Sequence, residues 1–339
     1  MRKTEIVATI GSNNIWDDEM IKRASEHGVD VFRLSSAHNH NPFFFNRVRK
    51  NAPKVKILQD LNEGVKNRIL TKEDVTVFKN TNIDICLNKE NSSKAVIYLD
   101  WEELHKKALI GNIIYFGDGE VAMKIIGIEK EKITCTVLNN GIILKGKALN
   151  INGIESGVKA INDFNKDSII NGAKFGYDIV AISFVSSKDD IKDYWNIVKS
   201  LDFKYNPFVI AKIETALGVE NIDEILDVVD GIMIARGDLA LQVDFTLLGI
   251  IQKTLISKCK EKNKYCIVAT QMLESIIYRY IPSRAEILDI TNAVYYGASA
   301  VMLSPESCLN PNPLGAISTM RQIIENVEMD IINTSDNGK

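Results

Sequence analysis

Apolar residues gather along this chain into eight short runs of strand length, at 6–11, 30–35, 54–60, 179–184, 208–214, 231–238, 265–272 and 298–304. Between most of them lie stretches whose apolar positions recur at helical spacing: 20–26, 41–50, 188–200, 219–228, 247–262 and 284–296. Runs that are apolar throughout, rather than alternating, mark strands buried on both faces, as in a parallel sheet with helical crossovers. Eight alternations of strand and helix predict an α/β fold of the TIM (β/α)8 barrel type. A helix over 316–327, after the eighth strand, closes the ring.

One interval breaks the rhythm. The third run ends near Asp60, and the helix that should follow it is expected only at 157–171. The residues between carry short alternating runs, DVTVF, KAVIYL, NIIYF, EVAMKIIGI, KITCTVL and GIILKG, separated by turn residues such as Asn139-Asn140-Gly141. This pattern predicts a small all-β domain inserted in a βα loop after strand 3. The expected organisation is a barrel of residues 1–68 and 151–330, an inserted β-domain of 69–150 and a tail of 331–339. A domain carried on a βα loop belongs to the catalytic face of a barrel and is expected to act as a lid.

Charge concentrates at the ends of two neighbouring runs. Lys212 and Glu214 end one, and Arg236, Gly237 and Asp238 end the next. Side chains alternate along a strand, so Lys212 and Glu214 are expected to share a face, as are Arg236 and Asp238. Two carboxylates and a lysine then stand at the C-terminal ends of strands, where barrel enzymes carry their chemistry. A carboxylate pair suits an oxygen-liganded divalent ion such as Mg2+. A lysine beside it suits a transferring phosphoryl group or a developing enolate. For any one of these residues the bland alternative is an ordinary salt-bridged rim.

Composition narrows the partners. The 339 residues include 25% charged positions and a formal net charge of −3, with no basic surplus for nucleic acid. No apolar run approaches the about 18 residues of a membrane span. The opening MRKTEIVATIG lacks a signal-peptide core. The expectation is a cytoplasmic protein with no nucleic-acid and no membrane partner. Five scattered cysteines and four histidines show no zinc spacing.

Longer motifs carry a resemblance. VATQMLES (268–275), PSRAEILDITNAV (282–294), GIMIARGDLA (231–240), AKIET (211–215), ATIG (8–11), FRLSSAH (32–38) and NING (150–153) together are similar to the pyruvate kinase family, from about Arg2 to about Glu328. The resemblance implies phosphoryl transfer between phosphoenolpyruvate and ADP, giving pyruvate and ATP, with Mg2+ or Mn2+ as cofactor. It implies Glu214 and Asp238 as metal ligands, and Lys212 as the cation that stabilises the phosphoryl group and the enolate. Gly237, Asp238 and Thr270 would bind the three-carbon acid, and Arg33 would touch the transferring phosphate. Thr270 would lie near the proton that reaches the enolate carbon, supported by Ser304 and Glu306. His38, Arg68 and Lys147 match nucleotide-side positions.

The departures from the family pattern cluster. Ser35 and Ala37 stand where potassium-dependent members have Asn and Ser, and Leu61 stands where they have Thr. Lys66 aligns with a glutamate of the family; in members with lysine there the ammonium replaces potassium, although 61–67 is one residue longer than the pattern. Ser12, Ser186, Gly117 and Pro305 replace a common proline, arginine, aspartate and glycine. The family's C-terminal regulatory domain is expected to be absent, while a homodimer through the barrel stays open. Three functions therefore remain: a short, potassium-independent phosphotransferase of this kind, an enzyme on the same scaffold with another acceptor or 2-oxo acid in a biosynthetic pathway, and a non-catalytic metabolite-binding protein. Potassium (K+) is expected to change the rate of pyruvate formation little. A coupled assay in sodium and in potassium salts checks this, and a strong potassium requirement overturns the reading of Lys66.

Overall fold

The computed structural model describes residues 2–11, 15–35, 42–61, 68–71, 73–87, 97–99, 101, 103–154 and 159–336. The chain begins with β1 (Glu5–Thr9), β2 (Val31–Ser35) and β3 (Lys56–Asp60). It then runs through β4 (Val75–Val77), β5 (Asn82–Cys86), β6 (Ile97–Tyr98), β7 (Ile113–Phe116), β8 (Val121–Glu129), β9 (Lys132–Val137), β10 (Gly141–Ile143) and β11 (Leu149–Ile151). It returns to β12 (Ile179–Ile182), β13 (Phe208–Ile213), β14 (Gly231–Ala235), β15 (Tyr265–Ala269) and β16 (Ala300–Leu303). The helices are α1 (Asp18–Glu26), α2 (Pro42–Asn51), α3 (Leu104–Lys107), α4 (Asp163–Phe175), α5 (Lys188–Lys199), α6 (Ala216–Glu220), α7 (Ile222–Leu226), α8 (Arg236–Gln242), α9 (Leu248–Glu261), α10 (Arg284–Tyr296), α11 (Pro305–Cys308) and α12 (Pro313–Asp336). Among the described residues no helix is long and apolar enough to cross a membrane.

The chain divides into two compact units. The first, Met1–Glu63 with Lys159–Arg236 and Gly249–Lys339, is a closed barrel in the order β1-β16-β15-β14-β13-β12-β3-β2, all pairs parallel. This is the TIM barrel that the eight apolar runs predict. Its interior is filled by one or two side chains from every strand, among them Val7, Val31, Leu58, Ile179, Ile210, Met233, Ile267 and Ala300, each at most 4% exposed. These apolar side chains fill the centre as a core rather than a pore.

The second unit comprises Gly64–Val158 and Gly237–Leu248. It holds a six-stranded sheet, β11-β7-β8-β9-β5-β6, and a two-stranded ribbon, β10-β4. A core of its own includes Ile85, Ile97, Phe116, Met123, Ile133 and Val137. The segment Gly237–Leu248, expected in the barrel, groups with this unit, and Gln242 Nε2 donates to Asn150 Oδ1 at 3.2 Å within it.

Several boundaries differ from expectation for identifiable reasons. Strand β14 stops at Ala235, and Arg236, Gly237 and Asp238 open α8 instead of extending the strand. Two-residue alternation therefore does not put Arg236 and Asp238 on one face. The expected helix at 219–228 is two short helices that meet at Asn221. The helix after strand three forms at Asp163–Phe175 rather than 157–171. The last helix, α12, begins at Pro313, a residue suited to a first helical turn, and runs on to Asp336, into the expected tail. Helix α10 has the expected span because its ends are well signposted: Ser283 and Glu286 form a capping box, and Gly297 closes it at φ 95°. The strands β5 and β11 are too short or too polar to stand out as apolar runs.

Gly231 shows how tightly the barrel wall is drawn. A Cβ there would come within 2.4 Å of the Tyr265 carbonyl oxygen on the paired strand β15. Gly231→Ala must push two bonded strands apart, at a cost of about 1–3 kcal/mol. The expected result is a clear fall in melting temperature by circular dichroism; an unchanged melt overturns the argument.

Candidate active site

Three barrel strands converge on one ammonium. Lys212 lies on β13 with its side chain 6% exposed, and its Nζ donates to Ser183 Oγ at 2.7 Å. The same Nζ lies 3.1 Å from Asp60 Oδ1 and 3.1 Å from Glu214 Oε1. Asp60 ends β3, Ser183 follows β12 and Glu214 follows β13. A lysine ammonium has three N–H donors, and each of these groups can take one.

The surrounding contacts fix the three acceptors. The Ser183 hydroxyl donates in turn to the Leu61 carbonyl at 3.0 Å. Glu214 Oε2 accepts the Phe184 N–H at 2.8 Å. Phe184 has a φ of 54°, a left-handed conformation that a bulky residue keeps only when its surroundings impose it. Asp60 serves two cations, because Arg33 Nε donates to its other oxygen, Oδ2, at 2.7 Å. Arg33 Nη1 donates in turn to Thr9 Oγ1 at 2.9 Å. Burial would raise the Asp60 carboxyl, but Lys212 and Arg33 outweigh it and hold the group below the usual carboxylate range.

A second constellation surrounds the end of β15. Thr270 and Gln271 follow the strand with φ of 70° and 53°, two left-handed non-glycine residues in succession, each costing about 1–3 kcal/mol. Glu306, fully buried on α11, accepts the N–H groups of Met272 at 3.0 Å, Leu273 at 3.4 Å and Ser304 at 2.6 Å. Burial pushes the Glu306 carboxyl up, against the pull of those N–H groups. Ser304 caps α11, and Pro305 occupies its first turn, where a missing N–H has no cost. The proline that replaces a glycine in the family motif thus has a structural place.

The expected site residues divide accordingly. Lys212, Glu214 and Arg33 come together, and Thr270, Ser304 and Glu306 form the second group. Gly237 and Asp238 lie in the first turn of α8, directly after β14. Arg68 and Lys147 are neighbours in the β-rich unit: Arg68 Nη1 donates to the Gly146 carbonyl at 2.9 Å, and Lys147 Nζ bonds Glu120 Oε1 at 3.0 Å. His38 and Lys66 lie outside the described residues, as do Ser12 and Ala37. Ser186, which replaces the common arginine, meets Thr215 Oγ1 at 3.1 Å and donates its N–H to Asp190 at the start of α5.

Sequence reasoning left Asp60 and Ser183 out of the site. Asp60 carried a signal, since it ends an apolar run in a charge, as Lys212 and Glu214 do. Ser183 carried none, being one serine in a chain with many.

The donor set also bears on metal. Among the described residues no three or more His, Cys, Asp or Glu side chains group to hold an ion by themselves. Zinc-like sites need such a cage. Mg2+ takes one or two carboxylates and completes its shell with water and substrate oxygens, so acidic groups such as Glu214 fit it.

The comparisons agree with one another. The family described as "Pyruvate kinase, barrel domain" matches residues 1–317. A pyruvate kinase of Staphylococcus haemolyticus is 33% identical over 97% of this chain and 57% of its own length. One from Thermococcus litoralis is 34% identical over 96% of this chain and 70% of its own. The crystal structure of a pyruvate kinase from Cryptosporidium parvum superposes with a TM-score of 0.89 at 30% identity, covering 97% of this chain and 70% of that one. The chain thus spans under three fifths of the length of such staphylococcal relatives.

The pairing of Asp60 makes a pH prediction. Its folded value lies below the unfolded one, so its stabilisation is complete above the unfolded value of about 3.9 and is lost as pH falls through the folded value. Asp60→Asn, which leaves buried cations short of a partner, is expected to cost about 3 kcal/mol at pH 7. The gap in melting temperature between wild type and variant should narrow below about pH 4. A gap of the same size at pH 3 and pH 7 would contradict the assignment.

Proposed function

The chain belongs to the pyruvate kinase family, and on that premise we propose that it transfers a phosphoryl group from phosphoenolpyruvate to ADP. The observation that carries the reading is Lys212, held by Asp60, Glu214 and Ser183 at the ends of barrel strands beside Arg33. An oxygen of the ADP terminal phosphate attacks phosphorus, and the bond from phosphorus to the enolate oxygen breaks. The electron pair of that bond stays on the enolate, which takes a proton at carbon 3 to become pyruvate. Such transfers need positioning and charge neutralisation more than covalent help from the protein.

The residues divide that work. Asp60 keeps Arg33 and Lys212 on its two oxygens, so the cations approach a shared anionic target with a fixed spacing. Lys212 balances charge that moves from phosphorus to the enolate oxygen. Glu214 and Asp238 would hold the divalent ion, Mg2+ or Mn2+, which when bound supplies further positive charge to the substrate's oxygens. Gly237, Asp238 and Thr270 would bind the three-carbon acid, with Thr270, Ser304 and Glu306 on the side where carbon 3 is protonated. Arg68, Lys147 and His38 would attend the nucleotide. The reading carries with it a cytoplasmic location and no need for K+.

Phosphorus NMR of the protein with phosphoenolpyruvate, ADP and Mg2+ tests it. The expected outcome is loss of the phosphoenolpyruvate signal with growth of ATP, abolished to within about a thousandth of the wild-type rate in Lys212→Met. Loss of phosphoenolpyruvate without ATP would turn the search to another acceptor. No turnover with any acceptor would leave a metabolite-binding protein.

A further inference from the structure

We infer that Arg236, with Asp289 as its counter-charge, is a positioning residue for Thr270, holding the turn after β15 in the one shape that presents the threonine. The role of Thr270 rests on the phosphoryl-transfer reading; the clamp itself rests on geometry. A guanidinium has five N–H groups, and all five of Arg236 have partners. Nε donates to the Ala269 carbonyl at 3.1 Å. One terminal nitrogen donates to the Thr270 carbonyl and meets Met272 Sδ at 2.9 Å. The other donates to Gln252 Oε1 at 3.3 Å and to the Asp289 carboxylate on α10.

Two things follow from this saturation. No N–H remains for a substrate, so Arg236 acts through the turn and not on the reacting atoms. Three of its five contacts fall on the segment from Ala269 to Met272, which contains both left-handed residues. Such a backbone persists only where its surroundings overdetermine it. Here Arg236 takes the turn's carbonyls while Glu306 takes the N–H groups of Met272 and Leu273. Lysine has no planar fork and cannot reproduce the arrangement. Arg236, a residue only 9% exposed, also needs a nearby anion, and Asp289 supplies it.

A double-mutant cycle tests the inference. In the ADP assay, Asp289→Asn is expected to lower kcat about tenfold or more through misplacement of Thr270, with KM for phosphoenolpyruvate changed less than about twofold. Arg236→Lys should fail to preserve the rate. In a Thr270→Ala background, Asp289→Asn should cost less than about twofold, since the two changes act on one element. Equal losses in both backgrounds overturn the clamp and leave a structural ion pair. Should Asp289→Asn not fold, Gln252→Ala removes one partner of the same nitrogen and must show the same coupling at smaller amplitude. A wild type that makes no ATP overturns the phosphoryl-transfer reading and not the clamp. Amide hydrogen exchange then decides: Asp289→Asn must speed exchange at Met272 and Leu273 about tenfold relative to the β13 amides, and unchanged exchange refutes the inference.

Discussion

A lysine ammonium taken out of water must have all its donors met, and that requirement organises this barrel. At Lys212, β3, β12 and β13 contribute to this by bringing Asp60, Ser183 and Glu214 around one nitrogen. The same strands fill the barrel interior with apolar side chains, so the packing of the core and the chemistry of its rim are one construction. An unpaired buried charge is far more costly than a paired one. Loss of any member would therefore be costly, and the cluster holds the Lys212 side chain in one place.

The site is held from behind as well. Asp60 joins two cations that come from different strands, and the strained backbone at Phe184 aims an N–H at Glu214. At the other side of the barrel mouth, the turn at Thr270 is gripped through both its carbonyls and its N–H groups. In each case a left-handed residue stands at a strand end, where the chain must leave the sheet abruptly and still point a side chain inward. Strain of this kind marks places where function has overruled local preference.

Much of this was legible in the sequence, for physical reasons that differ from element to element. The eight apolar runs announce the barrel because strands buried on both faces have no polar positions to spare. Lys212 and Glu214 were legible because charges at the ends of such runs are conspicuous, whereas Arg33, inside its run, was legible only through the family resemblance. Asp238 was legible as a charge but not in its setting, since nothing in the apolar pattern says that a helix begins at Arg236. Ser183 and the partners of Arg236 were illegible. Their roles depend on contacts across 16 to 53 residues that no local spacing encodes. The assignment of Gly237–Leu248 to the β-rich unit is of the same kind.

The closure of the barrel between β1 and β16 sets a schedule for synthesis. Glu5 pairs with Ala300, so β1 leaves the ribosome well ahead of the strand that covers one of its edges. At about 5–20 residues per second, one edge of β1 stays unpaired for roughly 15–60 s. An open strand edge is a template for pairing with other chains. Over that interval, pairing with other chains competes with closure of the barrel, and only the arrival of β16 removes the open edge.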